Sequence, residues 1–312
     1  MPGQATGATE LQRIIVAIKP WERGLPLAAT HARQLAKSVG AEIRLVSTVF
    51  QTGVAVGREL GDTDAQTRGE RLLTAARMEL QRLAHSMRDW GTNVTTQAVW
   101  SASVCDGILS VVQEWQADLV VVGVHEQRPL HTRLTDTDWQ LMQRSPCPLL
   151  LVKDPVFDGY RTIVAAIDPL HAHAEPSGLD RSVLSAGRAF ARAFGSTLRA
   201  VNAYPGEGAF ELASAVQVAP GVFYGAENVA ALHRRAAIEL VAEFGITPAE
   251  TDLVEGSPAE VIVDTAAARR AQLVVVGVPQ RRGRLAAVVG STAEAVAAEA
   301  PCDVLLVPAV QR

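Results

Sequence analysis

The stretch IIVAIKP at residues 14–20 returns as IVAAIDP at residues 163–169, and it is the first of four segments that occur twice in the same order. GAEIRLV (40–46) returns as GSTLRAV (195–201), ADLVVVGV (117–124) as AQLVVVGV (271–278), and PCPLLLV (146–152) as PCDVLLV (301–307). One apolar segment could match another by chance, but four in register indicate one module written twice. The repeat predicts two domains, 1–154 and 155–312, with breaker residues such as Pro155 and Gly159 around their junction.

Short apolar runs alternate with amphipathic segments in each copy, which predicts an α/β fold. The runs show little polar alternation, as expected for strands that helices cover on both faces. Each domain is therefore predicted to be a doubly wound, Rossmann-like parallel sheet of five strands, and the two domains to be related by a pseudo-twofold axis. The predicted strands are 14–18, 42–48, 94–99, 119–124 and 149–152 in the first copy, and 163–167, 197–201, 252–255, 273–278 and 304–307 in the second.

The ends of several helices are marked by residues with special backbone chemistry. Gly40 and Gly195 are predicted to end helices, because glycine adopts the left-handed backbone of a C-terminal cap at little cost. Ser103, Ser257 and Ser291 are predicted N-caps, since each precedes an acidic residue by three positions.

Composition limits the classes of function. The chain has 312 residues, 48% of them apolar, and a formal net charge of −4, which allows two hydrophobic cores and argues against a nucleic-acid partner. No apolar run approaches the ~20 residues that cross a bilayer, so we expect a cytoplasmic protein with no membrane partner. Cys105, Cys147 and Cys302 are too far apart to suggest a disulfide framework or a metal site, and we expect them to be buried and reduced.

A glycine-spaced loop follows the fourth predicted strand of the second copy and runs into a predicted helix. Its glycine, arginine and hydroxyl residues are Gly277, Arg281, Arg282, Gly283, Arg284, Gly290, Ser291 and Thr292. Ligands of open α/β sheets bind beyond the carboxyl ends of the strands, and the free N–H groups of a helix N-terminus favour an anion. The loop therefore predicts a small-molecule ligand in the cleft of the second domain, although a plain loop with solvated arginines would explain the same residues.

These segments resemble the universal stress protein family, whose motif is glycine, two residues, glycine, nine residues, glycine and then serine or threonine. Gly277, Gly290 and Ser291 fall on that motif, and Gln280 replaces its second glycine. The resemblance implies an adenine-nucleotide-alpha-hydrolase-like fold with ATP as a ligand. The Cβ and amide of Gln280 would occupy space that a glycine leaves to the phosphates.

The resemblance also assigns roles to three residues near the first two strands of the second copy. Asp168 stands where the family has an aspartate that meets adenine and ribose. Val201 matches a hydrophobic residue beside the base, and Ala166 a small residue that leaves room for the ribose. The complete predicted cofactor-binding set is Ala166, Asp168, Val201, Gly277, Gly290, Ser291 and Thr292.

The first copy departs from this pattern. Gly123 and Thr137 keep their positions, but Lys19 replaces the aspartate, and Glu126 and Asp136 replace the second and third glycines. Carboxylates where phosphates would lie repel an anion. The first copy is therefore predicted to have lost nucleotide binding.

The likeness covers the whole chain and is to tandem members of the family. The segments TDTDWQL at 135–141 and RSPCP at 144–148 contribute to it, as does Ala203-Tyr204-Pro205. It implies a stress-response protein linked to DNA-damage resistance, adhesion and motility. We predict no catalytic residue and at most slow ATP hydrolysis, since the sequence contains neither a GxSxG elbow nor a P-loop.

Two other functions stay open at this point. The chain could be an interaction scaffold that binds no nucleotide, or a sensor or carrier of an acylated or nucleotide-sugar metabolite. In the latter, the apolar segment 203–228 would line a cavity, whereas a simpler interpretation packs it on the sheet or on the other domain. His171 and His173 with Glu175 lack further metal ligands at suitable spacing, so a solvated loop is favoured over a zinc site.

The final strand of each copy would leave an apolar edge. We predict that 149–152 pairs antiparallel with 304–307, so that domain 1 pairs with domain 2 within the chain, as a monomer or a higher homo-oligomer.

Overall fold

The computed structural model describes residues 11–18, 26–88, 91–124, 134–153, 157–170, 178–205, 226–279 and 291–309. The chain divides into two compact units, Thr9–Gly159 and Tyr160–Arg312. Several predicted features lie outside the described residues: Lys19, Glu126, the His171 to Glu175 cluster, most of the segment 203–228, and the loop from Gln280 to Gly290.

The first unit contains a parallel sheet in the order β3-β2-β1-β4-β5. Its strands are β1 (Arg13–Ala17), β2 (Glu42–Val49), β3 (Val94–Trp100), β4 (Leu119–Gly123) and β5 (Leu149–Val152). Its helices are α1 (Leu27–Val39), α2 (Thr52–Glu59), α3 (Thr63–Arg88), α4 (Val104–Trp115) and α5 (Asp136–Arg144).

The second unit repeats this topology in the order β8-β7-β6-β9-β10. Its strands are β6 (Thr162–Ala166), β7 (Thr197–Tyr204), β8 (Thr251–Glu255), β9 (Leu273–Val278) and β10 (Asp303–Pro308). Its helices are α6 (Leu179–Phe194), α7 (Ala226–Ala242), α8 (Pro258–Ala268) and α9 (Ser291–Glu299), and Pro248–Glu250 form a 3₁₀ turn. The predicted α/β fold with parallel, doubly wound sheets is confirmed.

The central strands are buried on both faces. Ile14, Ile15 and Val16 of β1 are fully enclosed, as are Ile163 and Val164 of β6. This double burial explains why the strands read as continuous apolar runs. The strand order reverses between β1 and β4 in the first sheet and between β6 and β9 in the second, and such a reversal opens a crevice at the carboxyl ends of the strands.

Most of the predicted helix ends are confirmed. Gly40 and Gly195 adopt left-handed backbone conformations, with φ of 73° and 68°. The Ser103 side chain accepts a hydrogen bond from the Asp106 N–H at 3.1 Å. Ser257 stands at the N-cap of α8 without a side-chain cap bond. Helix α9 is described only from Ser291 onward, so the N-cap prediction for Ser291 stays a prediction.

Two elements differ from the prediction. Helix α2 was not predicted, because Gly53 and Gly57 are poor helix formers. Packing against α3 compensates: a Cβ on Gly57 would lie 2.5 Å from the Ala65 Cβ, so only glycine allows this approach. Strand β7 continues to Tyr204, three residues beyond its predicted end, and this extension lies at the carboxyl end of the second sheet.

No described helix is both long enough and apolar enough to span a membrane. The three cysteines are free and buried, as predicted. Burial raises the pKa of Cys147 to about 11 and also raises the pKa of Cys105.

These thiols should be unreactive in the folded protein. We expect Ellman's reagent to modify Cys105, Cys147 and Cys302 only slowly at neutral pH, because the side chains are enclosed and the thiolate is the reacting form. Unfolding in guanidinium chloride should expose all 3 thiols to rapid reaction. A thiol that reacts rapidly in the native protein would contradict this expectation.

Candidate functional site

The candidate site lies where β6 and β9 end side by side. Hydrogen bonding along β6 continues to Ile167, whose N–H donates to the Val201 carbonyl at 2.9 Å. Asp168 follows directly, and β9 ends at Val278 on the neighbouring strand. The structure thus places Asp168 at the switch point of the sheet, the position at which open α/β sheets bind ligands.

Asp168 is held by its backbone and leaves one carboxylate oxygen without a partner. Its N–H donates to Asp180 Oδ1 at 3.0 Å, and Asp180 belongs to the first turn of α6. Asp168 Oδ1 is enclosed yet accepts no hydrogen bond from any residue in the described part of the chain. A buried carboxylate oxygen is costly to leave without a donor. The arrangement suits a ligand that brings an N–H or O–H group to this oxygen.

Ala166 and Val201 lie beside each other in the register of β6 and β7. Both are almost fully enclosed, with exposed fractions of 9% and 1%. Contact of either side chain with a bound base or ribose stays a prediction.

Gly277 has a packing role that needs no ligand. A Cβ at this position would lie 2.7 Å from Leu179 Cγ and 2.8 Å from Leu179 Cδ2. Those distances are too short for carbon atoms, so only glycine lets the start of α6 approach β9 this closely. Leu179 precedes Asp180, which means that Gly277 indirectly sets the position of the carboxylate that holds the Asp168 backbone.

Ser291 and Thr292 form the start of α9, with Ser291 exposed and Thr292 half-buried. Their N–H groups belong to a helix N-terminus, where a ligand anion is stabilised. Gly290, which would complete the predicted cradle, falls outside the described residues.

The first unit carries acidic residues at the equivalent helix start. Helix α5 begins with Asp136, which is exposed, and Thr137, which is half-buried. Thr135 and Asp138 form a capping box: the Asp138 carboxylate accepts from the Thr135 N–H and hydroxyl, each at 2.8 Å. The two carboxylates in this first turn oppose an anionic ligand.

A buried polar network in the second unit was missed by sequence reasoning. Asn202 on β7 is fully enclosed, and its Nδ2 donates to the Ile167 carbonyl at 3.0 Å. Its Oδ1 lies 3.0 Å from Nδ1 of His233 on α7, a side chain with 4% of its surface exposed. The signal was available: Asn202 interrupts an apolar strand, and His233 lies in the apolar stripe of α7 formed by Val229, His233, Ala237 and Val241.

The network fixes the tautomer of His233. Because Asn202 Nδ2 donates to a carbonyl, Asn202 Oδ1 must accept, and the proton between the two side chains belongs to His233 Nδ1. Burial lowers the pKa of His233 below its ordinary value of 6.5, and the negative charge of Asp168 opposes that shift to a smaller extent. His233 is therefore neutral at neutral pH, with Nε2 as a hydrogen-bond acceptor.

The described residues contain no group of three or more histidine, cysteine or acidic side chains arranged to hold a metal ion. Asp168, Asp180 and His233 give this edge hydrogen-bond acceptors.

Both the sequence and the fold are similar to those of known proteins. A profile of the universal stress protein family matches residues 10–153 and again residues 159–308. Universal stress protein E of Escherichia coli K12 is 26% identical over 303 residues, which cover 95% of this chain and 93% of that protein. Universal stress protein E of Photorhabdus laumondii is 24% identical over 302 residues, covering 95% and 94%.

Among solved structures, a protein of unknown function from Pseudomonas aeruginosa PAO1 matches with a TM-score of 0.73 and 24% identity, covering 97% of this chain and 94% of that one. A universal stress protein from Archaeoglobus fulgidus matches with a TM-score of 0.67 and 15% identity, covering 96% and 99%. At these sequence identities, the two structures show that the fold is shared.

The packing role of Gly277 can be tested by substitution. We expect Gly277→Ala to lower the free energy of unfolding by about 1–3 kcal/mol, because the new methyl group overlaps Leu179. Urea denaturation would measure the loss. Adding Leu179→Ala should recover part of it, and a fully additive double variant would contradict the proposed overlap. Gly53→Ala is the matched control, since no atom lies within 4 Å of its added Cβ.

The burial of neutral His233 should make stability depend on pH. We expect its contribution to the free energy of unfolding to fall as the pH drops below about 6.5, because the unfolded side chain takes up a proton that the folded one resists. Below the pKa of His233 in the folded protein, the free energy of unfolding should stop falling on account of this residue. Above pH 6.5, where the side chain is neutral in both states, His233 should cause no change of stability with pH.

Urea denaturation at several pH values would compare wild type with His233→Gln. The stability advantage of the wild type should narrow in acid, whereas a constant difference would contradict the prediction. His85→Gln, at an exposed position on α3, is the control.

Proposed function

The chain belongs to the universal stress protein family, with two of its domains in tandem, and on that premise we propose that it binds an adenine nucleotide at the carboxyl edge of the second sheet without turning it over. The names of the family and of the relatives place it among stress-response proteins. The observation that carries the proposal is the enclosed Asp168 Oδ1 at the switch point, which has no donor within the described residues.

The chemistry of the edge supports a nucleoside end and a phosphate end. At one side, Asp168 Oδ1 offers an acceptor for amino or hydroxyl groups. At the other, the start of α9 offers N–H groups and the hydroxyls of Ser291 and Thr292, which suit phosphate oxygens. ATP combines both kinds of group.

The first unit supports the assignment by contrast. Its equivalent helix start holds Asp136 and Asp138, and the acidic charge there disfavours phosphate. We therefore place nucleotide binding in the second unit and assign none to the first.

The arrangement of this edge supports binding without turnover. Within the described residues, His233 is bonded to Asn202 and to no serine, threonine or cysteine, so it has no nucleophile to activate. The protein then acts as a ligand-dependent component of a stress response, through the state of its second domain.

Isothermal titration of the purified protein with ATP and with adenosine tests the proposal. We expect one site per chain, and Asp168→Ala should weaken binding by about tenfold to a hundredfold, the loss of one or more hydrogen bonds to a charged group. The matched control in the first domain is Asp136→Ala, which should leave the affinity unchanged. Equal losses from both variants would contradict a site in the second domain.

Gly290→Asp tests the phosphate end. This change places at the start of α9 the same residue that Asp136 provides at the start of α5, so it should abolish ATP binding. The affinity for adenosine, which lacks phosphate, should fall much less.

If neither compound bound, native mass spectrometry of freshly purified protein would separate the remaining functions. A retained acylated or nucleotide-sugar molecule would indicate a carrier, and an empty protein would favour an interaction scaffold.

A further inference from the structure

The enclosed pair of Asn202 and His233 stands at the same end of the sheet as Asp168. Asn202 bonds the carbonyl of Ile167, the residue immediately before Asp168, and it holds His233 by a hydrogen bond of 3.0 Å. His233 Nε2 bonds to nothing within the described residues, and the side chain has 4% of its surface exposed. Nε2 is therefore an acceptor with no donor in the described part of the chain.

The side chains of Asp168 and His233 at this edge both act as hydrogen-bond acceptors. The Asp168 carboxylate only accepts hydrogen bonds, and the Asn202 bond restricts neutral His233 to acceptance at Nε2. A ligand end with two N–H or O–H donors and no negative charge satisfies both acceptors. A phosphate or carboxylate at the same place would be repelled by Asp168 and would find no donor in either group.

We infer that His233 is a specificity-determining residue of the ligand site: with Asp168 it forms an acceptor pair that selects the uncharged, donor-bearing end of a nucleoside, and its protonation weakens that binding. This inference rests on the proposed nucleotide site and goes beyond it by assigning a role to a residue of α7. A protonated His233 would present Nε2–H to the carboxylate of Asp168 and so compete with the ligand for that oxygen.

Asp168 is the charged group that acts on His233. Other titratable groups lie on the neighbouring elements. Helix α7 packs against β7 and β8. From β7 the Tyr204 ring lies 5.9 Å from the imidazole. From β8, Glu255 is in register with Tyr204 but is exposed, so water screens its charge.

The remaining charges of these strands belong to the opposite face of the sheet or to solvent. Asp252 pairs in register with Val201, whose side chain points away from the side of Asn202, and Arg199 and Arg269 both bond to Asp252. On α7 itself, the neighbouring charged residues Arg234, Arg235 and Glu239 are exposed.

Calorimetric titration with adenosine between about pH 5 and pH 8 tests the inference. The affinity of the wild type should decline on the acid side, by at most about tenfold for each pH unit below the pKa of His233. His233→Gln keeps a side chain that can bond Asn202 but cannot take up a proton, so it should bind adenosine with no such decline. His85→Gln should retain the decline of the wild type.

Two analogues identify which donors the pair selects. Dideoxyadenosine lacks the ribose hydroxyls at the 2′ and 3′ positions, and purine riboside lacks the amino group of the base. Weaker binding of one of them, with a smaller penalty in His233→Phe than in the wild type, would support the inference. Equal affinity for adenosine and both analogues would overturn it.

A measurement without ligand tests the coupling directly. Proton NMR of the imidazole should show a pKa for His233 below 6.5, and Asp168→Asn should lower it further by removing the opposing negative charge. An unchanged pKa in Asp168→Asn would overturn the inference.

The titrations distinguish failure of the proposed function from failure of the proposed role of His233. Adenosine and ATP that bind at no pH would overturn both the proposed function and this role of His233. Binding with the same affinity in acid for wild type and His233→Gln would overturn the role of His233 alone.

Discussion

Burial of the central strands on both faces is the constraint on which each unit depends. It requires that the backbone be satisfied by neighbouring strands and that side chains in the sheet be apolar, as β1, β4, β6 and β9 show. In those four strands, polar side chains occur only at the strand ends. Asn202 of β7 is a fully buried polar residue, and it is tolerated because both atoms of its amide are bonded, one to the Ile167 carbonyl and one to His233.

Two sets of contacts position Asp168 at the carboxyl end of the second sheet. The first set is packing. Because Gly277 has no side chain, Leu179 packs against it, and Asp180, which follows Leu179, accepts a hydrogen bond from the Asp168 N–H. The other runs through the hydrogen bonds of Asn202. An acceptor positioned by a rigid sheet and a helix start costs little to organise when a ligand arrives, and such preorganisation favours affinity.

The two copies have the same sheet topology and differ at the carboxyl ends of the strands. Ser47 occupies in β2 the position that Asn202 occupies in β7, since Val46 and Val201 face equivalent residues of β1 and β6. The first copy also starts α5 with acidic residues and a capping box. The core that forms the fold has been kept, whereas the strand ends that would bind a ligand have diverged, which agrees with the general separation of fold from site.

The repeat, the parallel doubly wound sheets, the glycine caps at Gly40 and Gly195, and the place of Asp168 at a strand end could all be predicted from the sequence, because each follows from local periodicity or backbone preference. Three contacts required the folded chain: the packing of α2 against α3, the space that Gly277 leaves for Leu179, and the hydrogen bond between Asn202 and His233. These depend on atoms brought together from distant parts of the chain. Periodicity reports which face of an element is buried, but not which buried side chain lies opposite.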